Sequence, residues 1–361
     1  MTVRRTAATV LLVAIALAGC GGSDDPTPSR FGSFFGISPV DVPVASDFAR
    51  MADGGIGSYR VPLAWSTVEA TKGSYDWSAS DATIAELARN GIEPIVNVTG
   101  TPAGYAPQPT DPPTSSPEAF DGWARFLKAA ALRYGPDGTF WDDFAETDPG
   151  VTPGPLRIWE IWNEPNTSLF WTPKPDPDAY VDLLKRSSRV LTGIDPGAQI
   201  MVGGMFATPQ SDGAIVSFDF LRDIYGHAGV ADAVDLVGVH PYGPDVASVT
   251  KQLDGTREAI DDAGDDAGLW VTELGWGSDP DVPNDLAKSP EEQAQLLTDS
   301  FNAMYDGREG WGLHGVIWFT WRDSDGPVGD CLWCQTAGLV DPEADSKPSW
   351  LAFTKLTGGT P

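Results

Sequence analysis

The 361-residue sequence is short of cations, histidine and cysteine, and each shortage closes off a class of function. It carries 23 Lys and Arg against 51 Asp and Glu, a formal charge of −28. Such a chain offers phosphates no basic footprint, so nucleic acid is excluded as a partner. Its three histidines, His227, His240 and His314, stand far apart with no metal-ligand spacing, so neither a metal nor a cofactor is expected. Three cysteines, Cys20, Cys331 and Cys334, are too few for a zinc ribbon or a disulfide-rich scaffold. The apolar run 7–17 is shorter than the roughly 18 residues a membrane span needs. No G-x-G-x-x-G turn follows the apolar stretch Phe35-Gly36-Ile37-Ser38, which argues against an open dinucleotide-binding sheet.

At the N-terminus, Arg4 and Arg5 precede the apolar run, which ends in Leu17-Ala18-Gly19-Cys20. A charged start, a short apolar middle and small residues at a cleavage point describe a signal peptide over 1–19. The Leu-Ala-Gly-Cys ending resembles a bacterial lipobox. That resemblance implies cleavage before Cys20, lipidation of Cys20 and a membrane-anchored, extracytoplasmic protein. Residues 20–31 read as a polar tether, and 32–361 as one domain. In an oxidising compartment, Cys331 and Cys334 are expected to form a local disulfide.

Across that domain, apolar β-branched runs alternate with helical patterns, the signature of a parallel sheet with crossover helices. Strands are expected at 34–38, 58–62, 93–98, 157–162, 199–203, 235–240, 269–273 and 315–319. Helices are expected at 45–53, 81–90, 117–134, 178–192, 215–225, 249–263, 290–305 and 349–356. Ser80 is the expected cap of the second helix, Ser116 before Pro117 of the third, and Ser289-Pro290-Glu291-Glu292 of the seventh. Eight strand–helix units close most simply into a (β/α)8 barrel. The stretch 135–154 is an insertion on the face away from the strand ends, expected to pad the surface.

In such a barrel, reactive groups sit at the C-terminal ends of strands. The fourth strand ends in Trp159-Glu160-Ile161-Trp162-Asn163-Glu164-Pro165-Asn166, the seventh in Val271-Thr272-Glu273-Leu274-Gly275-Trp276. Glu164 and Glu273 therefore face one another across one mouth. A pair of carboxyl groups is what glycoside hydrolysis needs: one protonates the departing oxygen, the other attacks the anomeric carbon. Arg60, ending the second strand, is placed to hold Glu273 ionised. Glu160, four residues before Glu164, is expected deeper in the barrel as an ion-pair partner.

These segments resemble the retaining glycosidases of clan A over nearly the whole mature domain. The most specific match is Trp162-Asn163-Glu164-Pro165; Thr272-Glu273-Leu274-Gly275-Trp276 is the second. The resemblance implies that Glu164 is the acid/base, Glu273 the nucleophile and Asn163 the partner of the sugar 2-hydroxyl. It places His240 and Tyr242, in Val239-His240-Pro241-Tyr242, beside the nucleophile or substrate. Arg60, Trp65, Val68-Glu69 and Gly73-Ser74-Tyr75-Asp76-Trp77-Ser78 resemble family 39 members, with family 5 as a close alternative.

The sequence has 14 Trp, and flat aromatic faces suit the apolar C–H face of a pyranose. Resemblance implies Trp318 as the platform beneath the reacting sugar. Trp321 closes the same strand, and Trp276, Trp65, Tyr105 and Trp171 are candidates for flanking subsites. The expected activity is a retaining, endo-acting hydrolase of β-linked glycan, working as a monomer on carbohydrate. An exo-acting β-glycosidase such as a β-xylosidase and a non-catalytic sugar-binding barrel are the alternatives.

Overall fold

The computed structural model describes residues 31–207 and 213–361. The signal peptide 1–19, Cys20 and all of the tether but Phe31 lie outside the described residues. Eight parallel strands close into a barrel in chain order. They are β1 Phe35–Ser38, β2 Ser58–Ala64, β3 Glu93–Thr99, β4 Ile158–Ile161, β5 Gln199–Phe206, β6 Leu236–His240, β7 Gly268–Leu274 and β8 Leu313–Phe319. The pairing of β1 with β8, Ile37 opposite Trp318, completes the ring. The single-domain (β/α)8 architecture expected from the sequence is the one observed.

The helices are α1 Ala45–Asp53, α2 Trp65–Val68, α3 Ser78–Arg89, α4 Pro117–Tyr134, α5 Thr139–Thr147, α6 Pro177–Thr192, α7 Ser217–Tyr225, α8 Val246–Asp262, α9 Pro290–Trp311 and α10 Pro348–Thr357. Two expected caps form. Ser116 accepts from Ala119 N at the start of α4, and Ser289 with Glu292 makes a capping box on α9. The expected Ser80 cap does not form, because α3 starts earlier, with Trp77 at its N-cap position. There Asp76 accepts from Ser78 N at 3.0 Å and turns the chain into the helix. Helix α9 outruns its expected end at 305 and stops at Gly312, whose φ of 61° is left-handed backbone suited to glycine. The insertion at 135–154 contains α5, which buries Phe140, Trp141 and Phe144. Trp141 Nε1 donates to Tyr134 O at 3.0 Å, tying that helix to the end of α4 and so away from the strand C-termini.

Strand alternation decides which side chains reach the barrel interior. Ile95, Ile158, Met201, Leu236, Trp270 and Ile317 form a buried cluster of their own, one residue from each of β3 to β8. Two residues further along β4 and β3, on the same face, come Glu160 and Asn97. The opposite faces pack on the helical ring: Tyr59 against Phe48 of α1, and Trp318 against Phe301 of α9. An apolar plug thus floors the barrel, and polar groups stand on it towards the open end.

Candidate active site

Glu160 is fully buried and organises the floor of the site. Its Oε2 accepts from Arg60 Nε at 2.6 Å, and its Oε1 from Gly204 N at 2.7 Å and Thr272 Oγ1 at 3.0 Å. Arg60 then spreads its remaining donors upward. Nη1 donates to Glu273 Oε1, and Nη2 to Asn163 Oδ1 at 2.8 Å. One planar guanidinium so fixes three side chains, Glu160 on β4, Asn163 just past its end and Glu273 on β7, a geometry a lysine cannot reproduce.

The chain must turn sharply at the end of β4 to present Asn163 and Glu164. Trp162 and Glu164 both adopt left-handed backbone, with φ of 74° and 42°. Such backbone costs a non-glycine residue roughly 1–2 kcal/mol. Neighbouring strands hold it in place. Trp162 N donates to Val98 O at 2.8 Å, Asn97 Nδ2 to Trp162 O at 2.9 Å, and Glu164 N to Gly204 O at 3.0 Å. Trp162 also donates its indole N–H to Phe170 O at 2.7 Å, closing the loop that follows.

The two carboxylates differ in what surrounds them. Glu273 receives Arg60 Nη1 on one oxygen and Tyr242 Oη at 2.9 Å on the other. Glu164 contacts His240 Nδ1 through Oε1 at 2.8 Å and, among the described residues, forms no ion pair with a lysine or arginine, although the Arg60 charge still acts on it. Burial, and then the charge of Glu273, hold Glu164 well above the usual carboxylate range. Burial raises Glu273 too, but the Arg60 charge and the Tyr242 hydroxyl pull against it. His240, fully buried and near Arg60, is pushed well below the usual imidazole value and stays neutral. Oxygens of Glu164 and Glu273 and a nitrogen of His240 lie within 4.8 Å of one another. Two carboxylates and an imidazole are a donor set a divalent cation accepts. Here, though, a cation would have to displace or abut the Arg60 guanidinium that already neutralises Glu273.

The cavity above these groups holds about 720 Å3. Arg60, Asn163, Glu164, Tyr242 and Glu273 line it; His240 lies behind Glu164 rather than in the wall. The aromatic candidates are placed otherwise. Trp318 is wholly buried among Phe301 and Trp276, with its indole N–H on Ala337 O at 2.9 Å. Trp276 is also wholly buried, donating to Gly243 O at 2.9 Å. Trp65 donates to Glu69 at 2.6 Å, beneath Tyr105. Tyr105 and Trp171 line a separate hollow of about 590 Å3. Trp321, 2% exposed, lines a third hollow beside β1. None of these six borders the cavity of the carboxylates.

Phe319, Trp333, Phe206 and Phe170 border it instead. Ile317 belongs to the interior cluster, so strand alternation turns Phe319 inward and Trp318 outward. Trp333 stands between Cys331 and Cys334, which form a disulfide. Its ring meets Tyr242 edge-on at 5.2 Å and Phe319 at 6.3 Å. A tryptophan flanked by the two cysteines was the available sequence signal for this wall.

No family model matches this sequence, nor does any curated protein. The fold has many counterparts among solved structures. One is a family 39 glycoside hydrolase from the gut symbiont Bacteroides cellulosilyticus WH2, with TM-score 0.66 and 23% identity over 90% of this chain and 63% of that one. Another is a GH39 β-xylosidase from Caulobacter crescentus, with TM-score 0.64 and 20% identity over 93% of this chain and 73% of that one. A third is GH5_18 from Streptomyces cattleya in complex with Manb1-4GlcNAc, with TM-score 0.65 and 19% identity over 92% and 80%. The chain thus spans under two thirds of the Bacteroides structure. At these identities the likeness establishes the barrel fold, the fold that glycoside hydrolases of families 39 and 5 share.

Proposed function

We propose that this protein is a retaining glycoside hydrolase that cuts β-linked glycan within the chain. The observation that carries the reading is the approach of the Glu164 and Glu273 carboxylates to within 4.8 Å. Retaining enzymes hold their carboxyl groups about 5–5.5 Å apart, whereas inverting enzymes need ~6.5–9.5 Å to admit a water. The electrostatics support a division of roles. Glu273, paired with Arg60 and Tyr242, is the nucleophile; Glu164, kept protonated by burial and by Glu273, is the acid.

In the first step Glu273 attacks the anomeric carbon as the Glu164 proton passes to the departing glycosidic oxygen. In the second, ionised Glu164 takes a proton from water, and the water oxygen displaces Glu273 from the same carbon. Asn163, with its Oδ1 held by Arg60, is left to offer its amide N–H to the sugar 2-hydroxyl. Trp333 and Phe319 supply the apolar wall for the ring.

Internal cleavage is supported by the shape of the groove. Pro39 and Val40 border both the central cavity and the hollow of about 350 Å3 beside Trp321. Glu164, Leu169, Phe206, Tyr242, Asp330 and Trp333 border both the central cavity and one of about 900 Å3 on the other side. A polymer then has room on either side of the scissile bond. Among the described residues no helix is long and apolar enough to cross a membrane. Attachment through lipidated Cys20, outside the cytoplasm, is the location we propose; the Cys331–Cys334 disulfide supports an oxidising compartment.

The test is product analysis on a panel of β-glucans, xylans and mannans. Oligosaccharides formed early, with the β-anomer first in the proton spectrum, are expected. A first product that is a monosaccharide would reject internal cleavage, and an inverted anomer would reject double displacement.

A further inference from the structure

The site contains a second chain of contacts that the reaction as described leaves unused, and it runs behind Glu164. Thr272 Oγ1 lies 3.0 Å from Glu160 Oε1 and 3.1 Å from His240 Nε2, and His240 Nδ1 lies 2.8 Å from Glu164 Oε1. All four side chains are buried.

With the His240 ring neutral, as its burial and Arg60 favour, only one placement of protons satisfies every contact. Glu160 is ion-paired with Arg60 and meets N–H donors at both oxygens, so towards Thr272 it accepts. The single Thr272 proton is therefore directed to Glu160. The Thr272 oxygen can then only accept from His240, which puts the imidazole proton on Nε2. In a neutral ring, Nδ1 is left with a lone pair, and the proton in the contact with Glu164 must come from Glu164. Reversing any link would set two lone pairs or two protons against each other in a dry interior.

We propose that Thr272 is a positioning residue, which through the tautomer of His240 keeps the catalytic proton on Glu164. This rests on the reading of Glu164 as the acid/base. The relay acts in both half-reactions. Before cleavage it holds the acid loaded; after cleavage the His240 lone pair faces ionised Glu164 and drives it to recapture a proton from water. Gly204 completes the device. A Cβ there would stand 2.1 Å from His240 Nε2 and 2.4 Å from Thr272 Oγ1, so only glycine lets the β5 backbone cover the contact.

The charged and titratable groups around His240 fit this order. Glu164 faces it from β4, and Glu273 from β7 at 3.6 Å, beyond hydrogen-bond reach. Arg60 on β2 disfavours its cationic form, and Tyr242 directs its hydroxyl to Glu273 instead.

The test uses the pH profile of kcat/KM, whose alkaline limb reports the acid, together with the nitrogen spectrum of the histidines in the intact protein. In the wild type His240 is expected as the Nε2–H tautomer across the active range. Thr272→Val frees the ring to turn its proton towards Glu164 as Nδ1–H, which stabilises the carboxylate. The alkaline limb should then move down by about one pH unit or more. Loss of rate should be greater on glycosides with poor leaving groups than on activated aryl glycosides. Thr272→Ser, which keeps the hydroxyl, should restore the wild-type limb. An Nδ1–H tautomer in the wild type overturns the proposal, as does a Thr272→Val limb that stays in place or a Thr272→Ser limb that moves equally. Failure of the glycosidase reading shows itself separately, as a wild type that turns over no glycan, and leaves the tautomer measurement intact.

Discussion

Glu164 and Glu273 approach within 4.8 Å yet share no hydrogen-bond donor among the described residues. Of these two carboxylates, Arg60 and Tyr242 donate only to Glu273, while His240 Nδ1 meets Glu164 at 2.8 Å. Two like groups at this distance cannot both ionise freely, and this division of partners decides which one keeps the proton.

That division predicts how rate follows pH. The proposed double displacement needs Glu273 ionised and Glu164 protonated, so kcat/KM should trace a bell. Since burial raises both groups, both limbs should lie above the usual carboxylate range. Glu164→Gln should abolish the alkaline limb on activated substrates, where no proton need be donated. An alkaline limb that survives in that variant would assign the acid elsewhere.

The same shift predicts how stability follows pH. Unfolded glutamate loses its proton near pH ~4.3. Folded Glu164 keeps its proton to higher pH. Between those values the native state binds more protons than the unfolded one, so stability falls as pH rises. Below them the two states bind alike and the penalty vanishes. Glu164→Gln cannot ionise, so it should melt above the wild type at neutral pH and level with it near pH ~4. Melting curves of both proteins across that range decide the matter; a constant difference would mean that Glu164 ionises as easily folded as unfolded.

Chemical rescue separates the roles of the two carboxylates. Glu273→Ala should lose at least about 10³-fold in rate, and azide should then give a glycosyl azide of inverted configuration. Glu164→Ala should respond only on substrates with good leaving groups, giving an azide product of retained configuration. If the two stereochemical outcomes came out exchanged, the assignment of acid and nucleophile would have to be exchanged with them.

How much of this was readable in advance differs from element to element, for physical reasons. The eight strands were legible because barrel strands are buried on both faces and read as continuous apolar runs. That same property hid which face each residue takes. In Val316-Ile317-Trp318-Phe319 every side chain is apolar, so no alternation tells Trp318 from Phe319. Only the interior position of Ile317 reveals that Phe319 reaches the cavity. Glu164 and Glu273 were legible because strand ends are where this fold displays chemistry. The Thr272–His240 contact was not, since β6 and β7 meet there through a register no local pattern encodes. Trp333 opens a single 3-10 turn, Trp333–Thr336, too short to carry a periodicity that says which way it points.

Trp333 should dominate binding of the reacting sugar. Its ring borders the cavity, against Tyr242 and Phe319. Trp333→Ala should raise KM for polymer about tenfold, which corresponds to ~1.4 kcal/mol, with a smaller effect on kcat. Replacing Cys331 and Cys334 together by serine should raise KM by less, because the indole remains but its loop is untied. Binding isotherms on the inactive Glu273→Ala background measure both effects without turnover, and an unaltered affinity in Trp333→Ala would remove this residue from the sugar site.

Tethering at a membrane would change what the protein meets. A chain of formal charge −28 is repelled by anionic surfaces, so nothing in its net charge draws it to a bilayer. Acyl chains on one cysteine would have to supply that attraction, at about 0.8 kcal/mol per buried CH₂. The proposed anchor therefore rests on Cys20 alone, and Cys20→Ser should shift the protein from the membrane fraction to the soluble one. Glycan cleavage by the released protein should match that of the anchored form, since the 20–31 tether precedes the barrel in sequence. Membrane association that persists in Cys20→Ser would locate the attachment elsewhere in the chain.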